Sequence, residues 1–153
     1  MEHSFNRVNL IIIFCLLAMP AVNGQDDTIV IDDLTASQLR AEIVKIENEF
    51  YRVFNLSTKN DNLKIECSEY SPTGSHIKQR ACEPNFYKEA RNKNVRNWQD
   101  EIEELASPSA LRSSLEKEFG ELTSAMNNVL KESEYFRELN SILRMLKERQ
   151  DER

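Results

Sequence analysis

The sequence predicts a mainly α protein: three amphipathic helices, over about 36–56, 84–106 and 108–149, with a short disulfide-pinned β-hairpin inserted after the first, over about 63–70 and 76–82. Three observations lead there. Apolar residues recur at steps of three and four along three long stretches, the period of a helix with one buried face. Two cysteines, Cys67 and Cys82, bracket a pair of short segments around a Pro/Gly turn. Hydrophobic residues at 40 % and aromatics at 8 % supply a modest core, low for a sandwich or barrel, while three Gly and four Pro exclude collagen-like, linker-like and Pro-rich chains.

Residues 1–24 read as a secretory signal. A short polar head, Met1 to Arg7, precedes an apolar run from Val8 to Met19 that Pro20 ends. The run is about 12 residues, short of the roughly 20 that a membrane-spanning helix needs. Small residues at Val22-Asn23-Gly24 place cleavage after Gly24; retention as an uncleaved anchor is the alternative. Phe14 is too large to precede a lipid-modified cysteine at Cys15. Cleavage removes one Arg and one Glu, so the net charge stays at -6, and it leaves one histidine, His76, and two cysteines. In an oxidising compartment those two are expected to be bonded.

Residues 25–34 form an acidic arm with an apolar centre at Ile29, Val30 and Ile31, either a short strand or a segment that docks on the body. Residues 35–153 then make a single helical domain carrying the hairpin. Thr35 with Gln38 is a capping box, and Leu34 can staple onto Leu39. From there Leu39, Ile43, Ile46, Phe50 and Val53 form one stripe. In the first hairpin segment Leu63, Ile65 and Cys67 alternate with polar residues, as in a half-buried strand. Gly74-Ser75 suits a tight two-residue turn, which sets Cys67 opposite Cys82 and Glu69 opposite Arg80; a looser loop around Pro72 is the rival. Pro84 opens the second helix. Trp98, at helical spacing with Ile102 and Leu105, reads as a core residue, the alternative being an exposed anchor. Ser107-Pro108 starts the last helix, whose stripe runs from Leu111 to Leu146. At about 40 residues it would reach about 60 Å, so it either projects or is broken; projecting, it could pair with a second copy as a homodimer.

The residues restrict the chemistry. One His and two cysteines do not make a zinc site, and Asp61 with its Asn neighbours is too sparse for a calcium loop. Ser75-His76 is the only nucleophile-and-base pair, and on a strand the two would face opposite ways. With Gly74 and Gly120 as the only glycines after residue 24, there is no phosphate-cradling loop. No cofactor is expected. An acidic chain also disfavours nucleic acid. Asn55-Leu56-Ser57 is a formal glycosylation triplet. Against the acidic background stands a basic island, Lys78, Arg80, Lys88, Arg91, Lys93 and Arg96, with only Glu83 and Glu89 among them. It either docks an acidic protein, an anionic surface or a phosphate-bearing ligand, or is neutralised internally by Asp100, Glu101, Glu103, Glu104 and the arm.

The stretch ECSEYSPTGSHIKQRAC, ending at Cys82, resembles a cysteine-bounded element of small exported, periplasmic gammaproteobacterial proteins, in which Thr-Gly-Ser, a basic residue, an apolar one and an Arg recur before the second Cys. Here these are Thr73, Gly74, Ser75, His76, Ile77 and Arg80, with His76 where Arg is the commoner residue. The resemblance implies a bacterial envelope address and no particular activity. The expected role is therefore that of an exported, non-enzymatic interaction or scaffold protein that contacts an unknown protein partner or anionic surface through Thr73, Gly74, Ser75, His76, Lys78 and Arg80. A membrane-surface or small-ligand binder, or a carboxylate-dependent enzyme, are the alternatives.

Overall fold

The computed structural model describes residues 31–153, so the signal segment and the arm up to residue 30 lie outside the described part. Ile31–Asp33 forms one 3-10 turn. Five α-helices and one hairpin follow: α1 (Ala36–Ser57), β1 (Ile65–Tyr70), β2 (Gln79–Pro84), α2 (Asn85–Gln99), α3 (Pro108–Ser114), α4 (Glu116–Glu132) and α5 (Glu134–Asp151). A second 3-10 turn, Asp61–Leu63, links α1 to β1.

Helix α1 starts where its capping box lies. The Gln38 N–H donates to the Thr35 hydroxyl at 3.3 Å and the Thr35 N–H donates back to the Gln38 side chain at 2.9 Å. Its buried stripe is Leu39, Ile43, Phe50 and Phe54. Across from it lies the stripe of α5, Phe136, Leu139, Leu143 and Leu146. Phe50 stacks on Phe136 with centroids 4.2 Å apart, while Asp32, just ahead of α1, meets Arg149 near the end of α5 at 3.7 Å. The two helices are therefore antiparallel. Leu122 and Val129 of α4, Leu63, Ile65 and Phe86 join the same core, and Phe119 closes on Phe86 edge to face.

The single last helix expected over 108–149 is three helices. Ser133, read in the sequence as a dilution of the stripe, is the cap of α5 and accepts from the Phe136 N–H at 3.1 Å. The break at Ser133 turns α5 out of line with α4 and lets it bury its apolar face along α1, which a projecting rod could not do. Leu115 divides α3 from α4 with a backbone turn and no capping side chain. The second helix also stops at Gln99 rather than near 106, and Glu101 there takes a positive φ of 59°. Asp100, Glu101, Glu103 and Glu104 would stand at the negative end of the helix dipole, which disfavours continuing the helix through them.

The hairpin has the expected register, with Cys67 opposite Cys82 and Glu69 opposite Arg80, and the two cysteines are bonded. Its strands are shifted, however, from 63–70 and 76–82 to Ile65–Tyr70 and Gln79–Pro84. Pairing stops at Tyr70 and Gln79, leaving 71–78 as a loop. Within it the Ser75 N–H donates to the Pro72 carbonyl at 2.9 Å, and Gly74 has φ +80°. This is a type II-like turn around Thr73-Gly74, the conformation in which Gly is favoured at the third position. The looser loop around Pro72 prevails over the two-residue turn.

Candidate functional site

The loop 71–78 is held at its base and exposed at its tip. The bridge ties the strands at the fourth pair below the loop. Below that, Asn55 of α1 clamps the start of β1: its side-chain amide donates to the Ile65 carbonyl, and its oxygen accepts the Ile65 N–H, both at 2.8 Å. The expected glycosylation triplet is thus a structural joint, because the Asn55 amide is already engaged. On β2, Arg80 reaches away from Glu69 to α1, where it donates to Glu47 and, at 2.7 Å, to Asn48. Glu47 also accepts from Lys147 of α5 at 2.7 Å. With side chains only 14 % and 20 % exposed, Glu47 and Arg80 join hairpin, α1 and α5 at one point. Burial, reinforced by the Glu47 carboxylate, raises the pKa of the neighbouring Tyr51 phenol.

These contacts redistribute the expected surface. Arg80 is an anchor of the hairpin, not a displayed charge. Thr73, Gly74, Ser75, His76 and Lys78 all lie in the loop, off the strands. Because Ser75 and His76 are loop residues, the strand argument for their facing opposite ways does not apply; the Ser75 hydroxyl instead accepts the Ile77 N–H at 3.1 Å. Ile77, 74 % exposed, stands between His76 and Lys78 on the returning arm of the loop, two residues before β2. Lys78 meets Glu69 at 3.4 Å, an open surface pair that water screens and a partner can displace.

The rest of the basic island is partly neutralised by acids other than those expected. Lys88 pairs with Glu66 at 2.6 Å and Arg91 with Glu83 at 2.8 Å, so the hairpin's own glutamates serve α2, and the run from Asp100 to Glu104 does not. The sequence carries one signal for this: Glu66 and Glu83 sit on the strands next to the helix that Pro84 opens. Nothing in the residue spacing points to the Glu47–Arg80 contact across 33 positions.

Two other features complete the surface. A groove between α1 and α5, about 360 Å³, is floored by Ile46 and Leu146 and edged by Ile31, Ile142 and Met145. On the same helix pair, Arg52 forks onto Glu49 at 2.7 Å through both nitrogens and the Tyr135 hydroxyl donates to it at 2.9 Å. The Arg52 hydrogen bonds, then that of Tyr135, hold the Glu49 carboxyl down to about 2. Among the described residues no three His, Cys, Asp or Glu side chains gather as a metal-ligand set, and no helix is long and apolar enough to cross a membrane. Comparison of the chain with family models, with curated proteins and with solved structures finds no match in any of the three.

Proposed function

We propose that this chain is an exported, non-enzymatic interaction protein of the bacterial envelope, whose partner contact is the hairpin loop 71–78. The observation that carries this is the contrast between base and tip. The base is fixed by the bridge, by the Asn55 clamp and by Arg80 on Glu47, while Ile77 stands exposed between His76 and Lys78. A rigid base lowers the ordering entropy that binding costs, and an apolar residue between two basic ones suits a partner with an apolar pocket and an acidic border. The bonded cysteines favour an oxidising compartment, and the resemblance of the 66–82 stretch to periplasmic proteins supports the address. A photo-crosslinking residue placed at Ile77 in living cells is expected to yield a discrete adduct that weakens when Lys78→Glu is added. The same residue at Lys117, an exposed position on α4, serves as control. Equal labelling at both positions, or none at Ile77, contradicts the reading.

A further inference from the structure

The end of α2 and the loop after it carry a second surface, which shares no residue with the hairpin tip. Val95, Trp98, Ile102 and Leu105 are all exposed, Trp98 at 52 % and Ile102 at 66 %. Single exposed apolar side chains are ordinary; a contiguous group is not. Trp98, Ile102 and Leu105 line one shallow groove, and Val95 precedes Trp98 by one turn on the same side of the helix. The group is held in place. The Ile102 N–H donates to the Asn97 carbonyl at 2.8 Å and the Glu101 N–H to that of Trp98 at 3.1 Å. Asn94 closes on Ala106 in both directions at 3.0 Å, and Asn97 donates to Glu103 at 2.8 Å. The segment is folded with its large side chains outward.

Its border is uniformly acidic. Glu101, Glu103 and Glu104 line the groove beside Trp98, Ile102 and Leu105, exposed Asp100 adjoins them in sequence, and no Lys or Arg occurs between Asn97 and Ala106. On α2, Lys93 and Arg96 fall on the side away from Trp98 by helical spacing, and Arg91, which shares its side, is paired with Glu83. An aromatic anchor in an apolar patch with a negative rim matches a partner of the inverse pattern. We infer that this surface docks a basic amphipathic segment of another protein, with Trp98 as the central anchor. An anionic bilayer would set its phosphates against four carboxylates. A second copy would bring up a chain that is itself at -6.

Trp98 is the chain's one tryptophan, so its fluorescence reads this patch directly. The full chain is titrated at low salt with a synthetic amphipathic peptide of Lys and Leu, and with its counterpart carrying Glu for Lys. A saturable blue shift is expected with the basic peptide and none with the acidic one. Binding should weaken at least tenfold in Ile102→Ser/Leu105→Ser and in Asp100→Lys/Glu104→Lys. These variants alter exposed side chains only, and circular dichroism checks that the helices persist. No shift with the basic peptide, equal shifts with both, or variants that bind as the parent does would overturn the proposal. So would an emission already blue-shifted in the free protein, whether light scattering shows a dimer or a single chain covering its own patch. A shift on phosphatidylglycerol vesicles that the basic peptide cannot compete away would overturn it too. Because the hairpin tip is untouched in every arm, failure here leaves the crosslinking result at Ile77 to stand or fall separately.

Discussion

At the scale of single residues, the fold depends on a few polar side chains that do work usually assigned to backbone. Asn55 completes the hydrogen bonding of Ile65 at both its N–H and its carbonyl, and Asn94 does the same for Ala106. Glu47 is the other such residue, since it holds Arg80 of the hairpin and Lys147 of α5 together. Replacing Glu47 by Ala leaves two cations facing a half-dry site without their anion, and should cost about 2 kcal/mol. Arg80→Ala should cost a similar amount, and the double variant less than the sum, because both remove one interaction. Urea unfolding measures this, and strict additivity would show that the pair is not coupled. Glu49 makes a pH test. Its carboxyl is held at about 2, below the ordinary 4.5. A depressed folded value means that the carboxylate form favours the fold, so the contribution is complete above about pH 4.5 and is lost as pH falls toward 2. Carboxyl NMR should place the Glu49 midpoint near the lower value, moving upward in Arg52→Gln; a midpoint near 4.5 in the parent protein removes that interaction from the account.

At the scale of elements, the two glycines among the described residues separate backbone need from accident. Gly74 has φ +80° and open space around its Cβ position, so Gly74→Ala acts through backbone conformation alone and should destabilise by about 1 kcal/mol. Gly120 lies inside α4, also with open space, and Gly120→Ala should stabilise by about 0.5–1 kcal/mol. Thermal melts of the two variants should shift in opposite directions, and a shared sign would contradict the assigned conformations. Elements also show how far sequence reading reaches here. The capping box at Thr35 and the register through Cys67 and Cys82 are local or near-local signals and are legible, whereas the stripe of α1 is legible only in part: Leu39, Ile43 and Phe50 are buried as expected, Ile46 and Val53 only partly, and the fully buried Phe54 is missed. The break at Ser133 was signalled by a capping residue followed by Glu134, but the apolar stripe runs across it without a change of period. The arrest of α2 at Gln99 was written in the acidic run that follows, against the pull of Ile102 and Leu105 toward a longer helix.

At the scale of the molecule, the fold rests on long-range pairing that no local pattern encodes. The stripe of α5 finds its partner inside the chain because the helix breaks at Ser133, so the apolar face that would have joined a second copy lies against α1. Light scattering is accordingly expected to return the mass of one chain. The candidate site was only partly legible for the same reason. The resemblance and the charge pattern draw attention to Thr73 to Lys78 as a group, whereas the role of Arg80 depends on Glu47, 33 positions away. The exposure of Trp98 likewise depends on where α2 ends. The central claim is a helical body with a Cys67–Cys82-bridged hairpin in a chain proposed to be exported, and the mass of the unreduced protein isolated from its own cells tests it most directly. A chain beginning at Gln25 that takes up no alkylating reagent until it is reduced, and yields a linked Cys67–Cys82 peptide on digestion, is the expected result; a chain that still carries residues 1–24 and alkylates at both Cys67 and Cys82 without reduction would contradict it.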